Sequence, residues 1–105
     1  IAASIANARA MVDDDPTMAW SLADLAREAG LSRYQLVRQF AQATGLTPHA
    51  YLVQRRLHHA RRLMRAGTPL AEVAAASGFA DQSHLTRLFA RSFGTTPHAY
   101  LRAHR

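Results

Sequence analysis

Two short stretches carry the side chains best suited to recognition chemistry. One holds Ser32, Arg33 and Tyr34 followed by Val37 and Arg38; the other holds Gln82, Ser83 and His84 followed by Thr86 and Arg87. At helical spacing, residues three and four apart share a face, so Tyr34, Val37 and Arg38 would point one way, as would Ser83, Thr86 and Arg87. These residue types suit the edges of base pairs. An arginine fork matches the two acceptors of guanine, glutamine pairs with adenine, and tyrosine or valine can touch a thymine methyl. Hydroxyls and free N–H groups at a helix start can hold phosphates.

Each residue also has a plainer reading. Arg38 and Arg87 fill the same slot of an L-x-R-x-F pattern, which fits base readout, a shared phosphate contact or an intramolecular pair. Contact with nucleic acid is preferred for both. Tyr34 fits packing over its own turn nearly as well as a groove contact. Val37 is apolar and reads as exposed, which favours the groove. Thr47, Arg55, Arg61, Arg91 and Thr96 are further candidates for phosphate contact. Arg56 falls within an apolar stripe and reads as a paired or snorkelling structural arginine.

The elements that must position these residues are announced by an echo. GLTPHAY at 45–51 returns as GTTPHAY at 94–100, 49 positions later. LADLAREAGL at 22–31 returns as LAEVAAASGF at 70–79, 48 positions later, and LVRQFAQATGLTPHAYL at 36–52 returns as LTRLFARSFGTTPHAYL at 85–101. The change of offset puts one extra residue between Phe79 and Leu85, which locates a turn there. The chain thus reads as two copies of one unit with a leading segment and a connector.

Each copy reads as helix, tight turn, helix. Ser21 caps the first helix with Asp24 as its box partner, and Leu22, Leu25, Ala26 and Ala29 form an apolar stripe that Gly30 stops. Ser32 and Gln35 open the next helix, with Leu36 and Phe40 facing inward until Gly45. In the second copy Thr68 and Pro69 open, Gly78 turns, Asp81 caps, and Leu85, Phe89 and Phe93 face inward until Gly94. The expected boundaries are about 21–45 and 68–94 for the two helix-turn-helix units. A connector helix is expected over about 48–66 and a terminal helix over about 97–103, each opened by Thr-Pro. Every periodic segment has helical spacing, so the predicted class is all-α. The connector would be about 27–29 Å long at 1.5 Å per residue, against about 34–36 Å between successive major-groove faces.

Composition narrows the partners. All thirteen basic side chains of the 105 residues are arginine, and the net charge is +6. Residues 1–31 have a net −3, whereas residues 32–105 carry eleven arginines against Glu72 and Asp81. Arginine's planar fork suits phosphate and guanine. Cysteine is absent, which excludes disulfides and a thiolate nucleophile and fits a reducing cytoplasm. No apolar run approaches membrane-spanning length. The start at IAAS, without Met, suggests a piece of a longer chain.

The motifs LADLAREAGLSRYQLVRQF, RRLHHARRLM and above all GFADQSHLTRLFARSFGTTPHAY resemble the AraC/XylS family of bacterial transcription regulators. The resemblance covers roughly residues 16–101. It implies a DNA-binding domain of seven helices, with two helix-turn-helix units bridged by a long helix. It also implies double-stranded DNA as partner, each recognition helix lying in a major groove, with RNA polymerase a candidate partner. By that pattern Tyr34, Val37 and Arg38 are first-helix reading positions, and Gln82, Ser83, His84 and Arg87 second-helix ones. Two departures are Leu85, where the family often has an aromatic, and Leu101, where an arginine commonly follows the tyrosine. An effector or dimerisation domain is expected in a missing part of the chain.

Other classes fare worse. The six histidines lack an H-x-x-x-H spacing, and no phosphate-loop, dinucleotide or G-x-S-x-G motif is present, so neither an enzyme, a metal site nor a cofactor is expected. A helical protein-interaction module with a basic surface is the main alternative, and it would expose an apolar face. RNA is disfavoured because its deep, narrow major groove does not admit a helix.

Overall fold

The computed structural model describes residues 3–104, which form seven α-helices and no strand. They are α1 (Ala3–Asp14), α2 (Leu22–Ala29), α3 (Arg33–Thr44), α4 (Pro48–Arg65), α5 (Leu70–Ala76), α6 (Gln82–Phe93) and α7 (Pro97–Ala103). Two compact units result, Ile1–Arg55 and Arg56–Arg105, so α4 gives its first half to unit 1 and its second half to unit 2.

In unit 1, α1 packs on both α2 and α3. The Ser21–Asp24 and Ser32–Gln35 capping boxes both form, each side chain satisfying the other residue's backbone N–H. The hydrogen bonds that Asp24 accepts from Ser21 hold its carboxyl below the usual range, with Arg27 adding a smaller attraction. Between the helices the chain must reverse within three residues. Gly30 adopts φ 68°, and the Gly30 and Leu31 N–H groups bond back to the Arg27 and Ala26 carbonyls. A side chain at that φ would be strained, which is why glycine stands there. The core gathers Ile5, Ala8 and Val12 from α1, Leu25, Ala26 and Ala29 from α2, Leu36 and Phe40 from α3, and Tyr51 and Leu52 from α4. Leu22, expected in this stripe, is 36% exposed because it sits on the first turn, ahead of the residues that reach α1.

Unit 2 repeats the scheme. Asp81 caps α6 by accepting from the His84 N–H, and Gly78 and Phe79 bond back to Ala75 and Ala74 as Gly30 and Leu31 do to Arg27 and Ala26. Gly78 has φ 86°. The extra residue falls in this turn: Asp81 lies three positions after Gly78, whereas Ser32 lies two after Gly30. The core holds Leu57, Ala60 and Met64 from α4, Leu70, Val73 and Ala74 from α5, Phe79 from the turn, Leu85 and Phe89 from α6, and Tyr100 from α7. Leu85 is fully buried, so the departure from an aromatic there leaves no exposed gap. Phe93 is only half-buried, and the Arg61 guanidinium lies over its ring face at 5.0 Å.

The equivalence runs further than the sequence pattern indicated. Ile5, Ala8, Arg9 and Val12 of α1 match Leu57, Ala60, Arg61 and Met64 of α4 at an offset of 52. The apolar members of both sets are at most 2% exposed. Each arginine covers an aromatic ring, Arg9 over Tyr51 and Arg61 over Phe93. The leading segment is therefore the first helix of copy one, and the second half of α4 is the first helix of copy two. Its first half, opened by Thr47 and Pro48, answers α7, opened by Thr96 and Pro97.

Candidate nucleic-acid interface

Burying Leu36 and Phe40 turns the opposite side of α3 to solvent. Tyr34 is 72% exposed, and Ser32, Arg33 and Arg38 are exposed as well. Tyr34, Gln35, Arg38, Gln39 and Gln42 line one shallow cleft of about 720 Å³. Gln39 and Gln42 were not singled out in the sequence. Their spacing was the available signal, since Arg38 and Gln42 continue the face of Tyr34 at intervals of four.

Val37 departs from expectation. It is half-buried and lines a separate apolar pocket with Trp20, Leu22, Leu25, Pro48 and Leu52. At one helical position before Arg38 it lies at the edge of the outer arc, where the neighbouring chain between α1 and α2 reaches it. The fold thus brings Tyr34 and Arg38 together and sets Val37 apart from them.

On α6, burial of Leu85 and Phe89 leaves Gln82, Ser83, Arg87 and Arg91 exposed, with Thr86 half-buried. Ser83, Arg87 and Arg91 stand where Tyr34, Arg38 and Gln42 stand on α3. His84 occupies the place of Gln35 but bonds one residue further back, to Ala80 ahead of the cap Asp81, where Gln35 bonds to the cap residue Ser32 itself. Its Nδ1 accepts from the Ala80 N–H at 3.3 Å, and its ring meets Phe79 edge-on at 5.5 Å. Accepting at Nδ1 leaves the neutral ring's proton on Nε2, so only that nitrogen remains to donate outward. A capping role was not expected for His84.

The candidates for phosphate contact fall into distinct surroundings. Thr47 and Thr96 are the N-terminal hydroxyls of α4 and α7, accepting from the Ala50 and Ala99 N–H groups at 3.2 Å each. Arg91 is exposed near the end of α6. Arg55 pairs with Asp13 at 3.3 Å in a half-exposed ion pair, worth about 0–1 kcal/mol and readily exchanged. Arg61 is held harder, over Phe93 and bonded to His58 Nδ1 at 3.2 Å. Half-buried Arg61 is thus engaged within unit 2, on a ring face and an imidazole. Arg56 is half-buried, and burial lowers its pKa. No group of histidines and carboxylates suited to a metal occurs among the described residues, and no helix among them is long and apolar enough to cross a membrane.

Known proteins with this arrangement agree with one another. Residues 25–103 match a family described as a helix-turn-helix domain. An uncharacterized HTH-type transcriptional regulator, YbfI of Bacillus subtilis (strain 168), is 38% identical over 65 residues, 62% of this chain and 24% of the relative. A putative AraC-like transcription regulator of Streptomyces antibioticus is 34% identical over 82 residues, 77% of this chain and 27% of the relative. The chain spans about a quarter of the length of these curated relatives. Among solved structures, the DNA-binding domain of AdpA, a global transcriptional factor determined in complex with a target DNA, superposes with a TM-score of 0.92 at 30% identity, covering 99% of this chain and 95% of that one.

Proposed function

Since the chain belongs to the AraC-type helix-turn-helix family of DNA-binding regulator domains, we propose that it binds double-stranded DNA sequence-specifically, in the service of transcription regulation. One observation carries this reading. Two capped helices, α3 and α6, each turn an outer face to solvent with an arginine at the equivalent position, Arg38 and Arg87, on a chain of net charge +6. The family is one of regulator domains rather than enzymes. AdpA's complex with a target DNA supports duplex DNA as the partner here.

In this reading Tyr34 and Arg38 read one element, with Ser32 and Arg33 at the helix start on phosphates. Gln82, Ser83, Thr86 and Arg87 read the other, His84 chiefly holding the helix start. Thr47, Thr96, Arg91 and Arg55 serve the backbone. The faces differ, Tyr34 against Ser83 and Gln42 against Arg91, so the target is non-palindromic, with two short elements about one helical turn apart in successive major grooves. RNA polymerase and an effector or dimerisation domain are proposed partners of the whole protein, and the cytoplasm its proposed location.

Fluorescence anisotropy of a labelled duplex against salt tests the binding. With about 6–8 phosphates neutralised, log K falls against log [salt] with a slope of roughly −5 to −7. Equal affinity for single strands, or insensitivity to salt, sinks the reading. Selection from a random duplex pool then gives the target, and a palindrome would reject the assignment of different elements to α3 and α6.

A further inference from the structure

The turn between α1 and α2 of unit 1 is long and fills its own surroundings. With the last two residues of α1 it makes up residues 13–20, Asp-Asp-Asp-Pro-Thr-Met-Ala-Trp. The first residue of this segment, Asp13, accepts a hydrogen bond from the Tyr51 hydroxyl at 2.5 Å and pairs with Arg55. Its last, Trp20, packs against the unit 1 core and donates its indole N–H to the Asp15 carbonyl at 2.9 Å. An acidic end and an aromatic end are thus both seated on the unit that carries them.

The matching segment of unit 2, from the last residue of α4 onward, is residues 65–68, Arg-Ala-Gly-Thr, four residues shorter. By the offsets above, Arg65 stands for Asp13, Thr68 for Trp20, and His104 for Arg55. Both the carboxylate and the indole are gone from the sequence at these positions. In their place is an open cleft of about 490 Å³ lined by Met64, Arg65, Gly67, Thr68, Leu101 and His104. It sets the exposed cation Arg65 beside the half-buried apolar side chain of Leu101, with Met64 already buried beneath them.

We propose that this cleft binds an acidic-aromatic peptide segment of a partner protein, which supplies in trans what residues 13–20 supply to unit 1 in cis. Charge complementarity supports an acidic occupant. Unit 2 holds eight arginines against two acidic side chains, Glu72 and Asp81, and Asp81 is engaged as the cap of α6. The part-exposed Leu101 supports an aromatic beside the acid, as Trp20 lies beside the acidic run in unit 1. A nucleic-acid phosphate would satisfy Arg65 but leave the half-buried Leu101 uncovered. The cleft also takes no residue from α6, so occupying it leaves the outer face of that helix free. The inference stands apart from the DNA-binding reading and is tested without DNA.

The full chain is titrated with a synthetic peptide of the sequence of residues 13–20 and followed by amide NMR, alongside the same peptide with its three Asp replaced by Asn. The expected result is saturable shifts confined to residues 64–68 and 101–104, with the Asn peptide weaker by about tenfold. Arg65→Glu, a change at an exposed position, weakens the acidic peptide by about tenfold or more. Thr68→Trp, which places an indole at the equivalent of Trp20, excludes it. No shifts at a peptide concentration on the order of 1 mM would overturn the proposal, as would equal response to both peptides. Shifts in unit 1 alone would overturn it too. Displacement of the peptide by added duplex, with Arg65→Glu weakening the duplex instead, would make the cleft a phosphate site and reject the peptide.

Discussion

Units 1 and 2 share an interior and differ almost everywhere else. Leu36 and Phe40 answer Leu85 and Phe89, all fully buried, and Ile5, Ala8 and Val12 answer Leu57, Ala60 and Met64. Outside, unit 1 balances five arginines against five acidic side chains, whereas unit 2 carries the whole net charge of +6. The large hydrophobics exposed among the described residues, Met18, Leu22, Tyr34 and Leu46, all lie in unit 1. A close-packed interior resists any change of volume, while most surface changes cost little. One frame can therefore carry two unlike surfaces, and the division of labour between the copies lies in their exposed residues.

The largest test of this equivalence is in the cores. Phe40→Ala and Phe89→Ala should each cost about 3–5 kcal/mol in urea unfolding, since both rings are fully buried at matching positions. One tolerated substitution beside one severe loss would break the parallel. Next come the reading faces. If Arg38 and Arg87 contact bases, Arg38→Ala and Arg87→Ala should each weaken duplex binding by about 1–3 kcal/mol and relax specificity only in their own element. Uniform weakening across single-base variants of the target would move both arginines to phosphates.

A smaller difference is expected at the two tyrosines. Tyr51 donates to Asp13 and accepts from Arg9 Nε at 3.1 Å, so Tyr51→Phe should cost about 1–2 kcal/mol. Tyr100, with Arg65 where Asp13 would stand, should lose less than about 0.5 kcal/mol as Tyr100→Phe. Burial, followed by the bond to Asp13, raises the Tyr51 pKa. A raised pKa means that this stability is fully present below the ordinary tyrosine value of about 10 and is lost as pH rises through the raised one. The gap between wild type and Tyr51→Phe should accordingly narrow at alkaline pH, and a gap that widens would reject the assignment.

The smallest effect sharpens the comparison of caps. His84→Gln, which borrows the side chain found at Gln35, should keep thermal stability within about 0.5 kcal/mol, while His84→Ala loses up to about 1 kcal/mol. If His84→Gln also leaves the selected target unchanged, His84 positions α6 and does not read bases.

Much of this was legible before any coordinates. Ser21, Ser32 and Asp81 as caps, Gly30, Gly45, Gly78 and Gly94 as stops, and Leu36, Phe40, Leu85 and Phe89 as core follow from local rules that act within a few residues. The match between α1 and the second half of α4 was harder to see. It retains only Ala and Arg as identities, and a turn four residues longer in unit 1 separates it from the rest of the echo.

By itself the sequence determined the helices, their ends, the repeat and the two faces turned away from the core, because spacing, capping and glycine conformation are properties of neighbouring residues. Tertiary structure alone decided what individual side chains at the helix surfaces touch. Val37 was drawn into a pocket by Trp20 and Leu22, Arg61 was laid over Phe93, Arg55 was paired with Asp13, and His84 was turned back onto Ala80. For Val37, Arg61 and Arg55 the partners lie 15 to 42 residues away along the chain, and the ring of His84 meets that of Phe79 in the preceding turn. A long side chain on a helix surface has several such partners within reach, and only the packed fold selects among them.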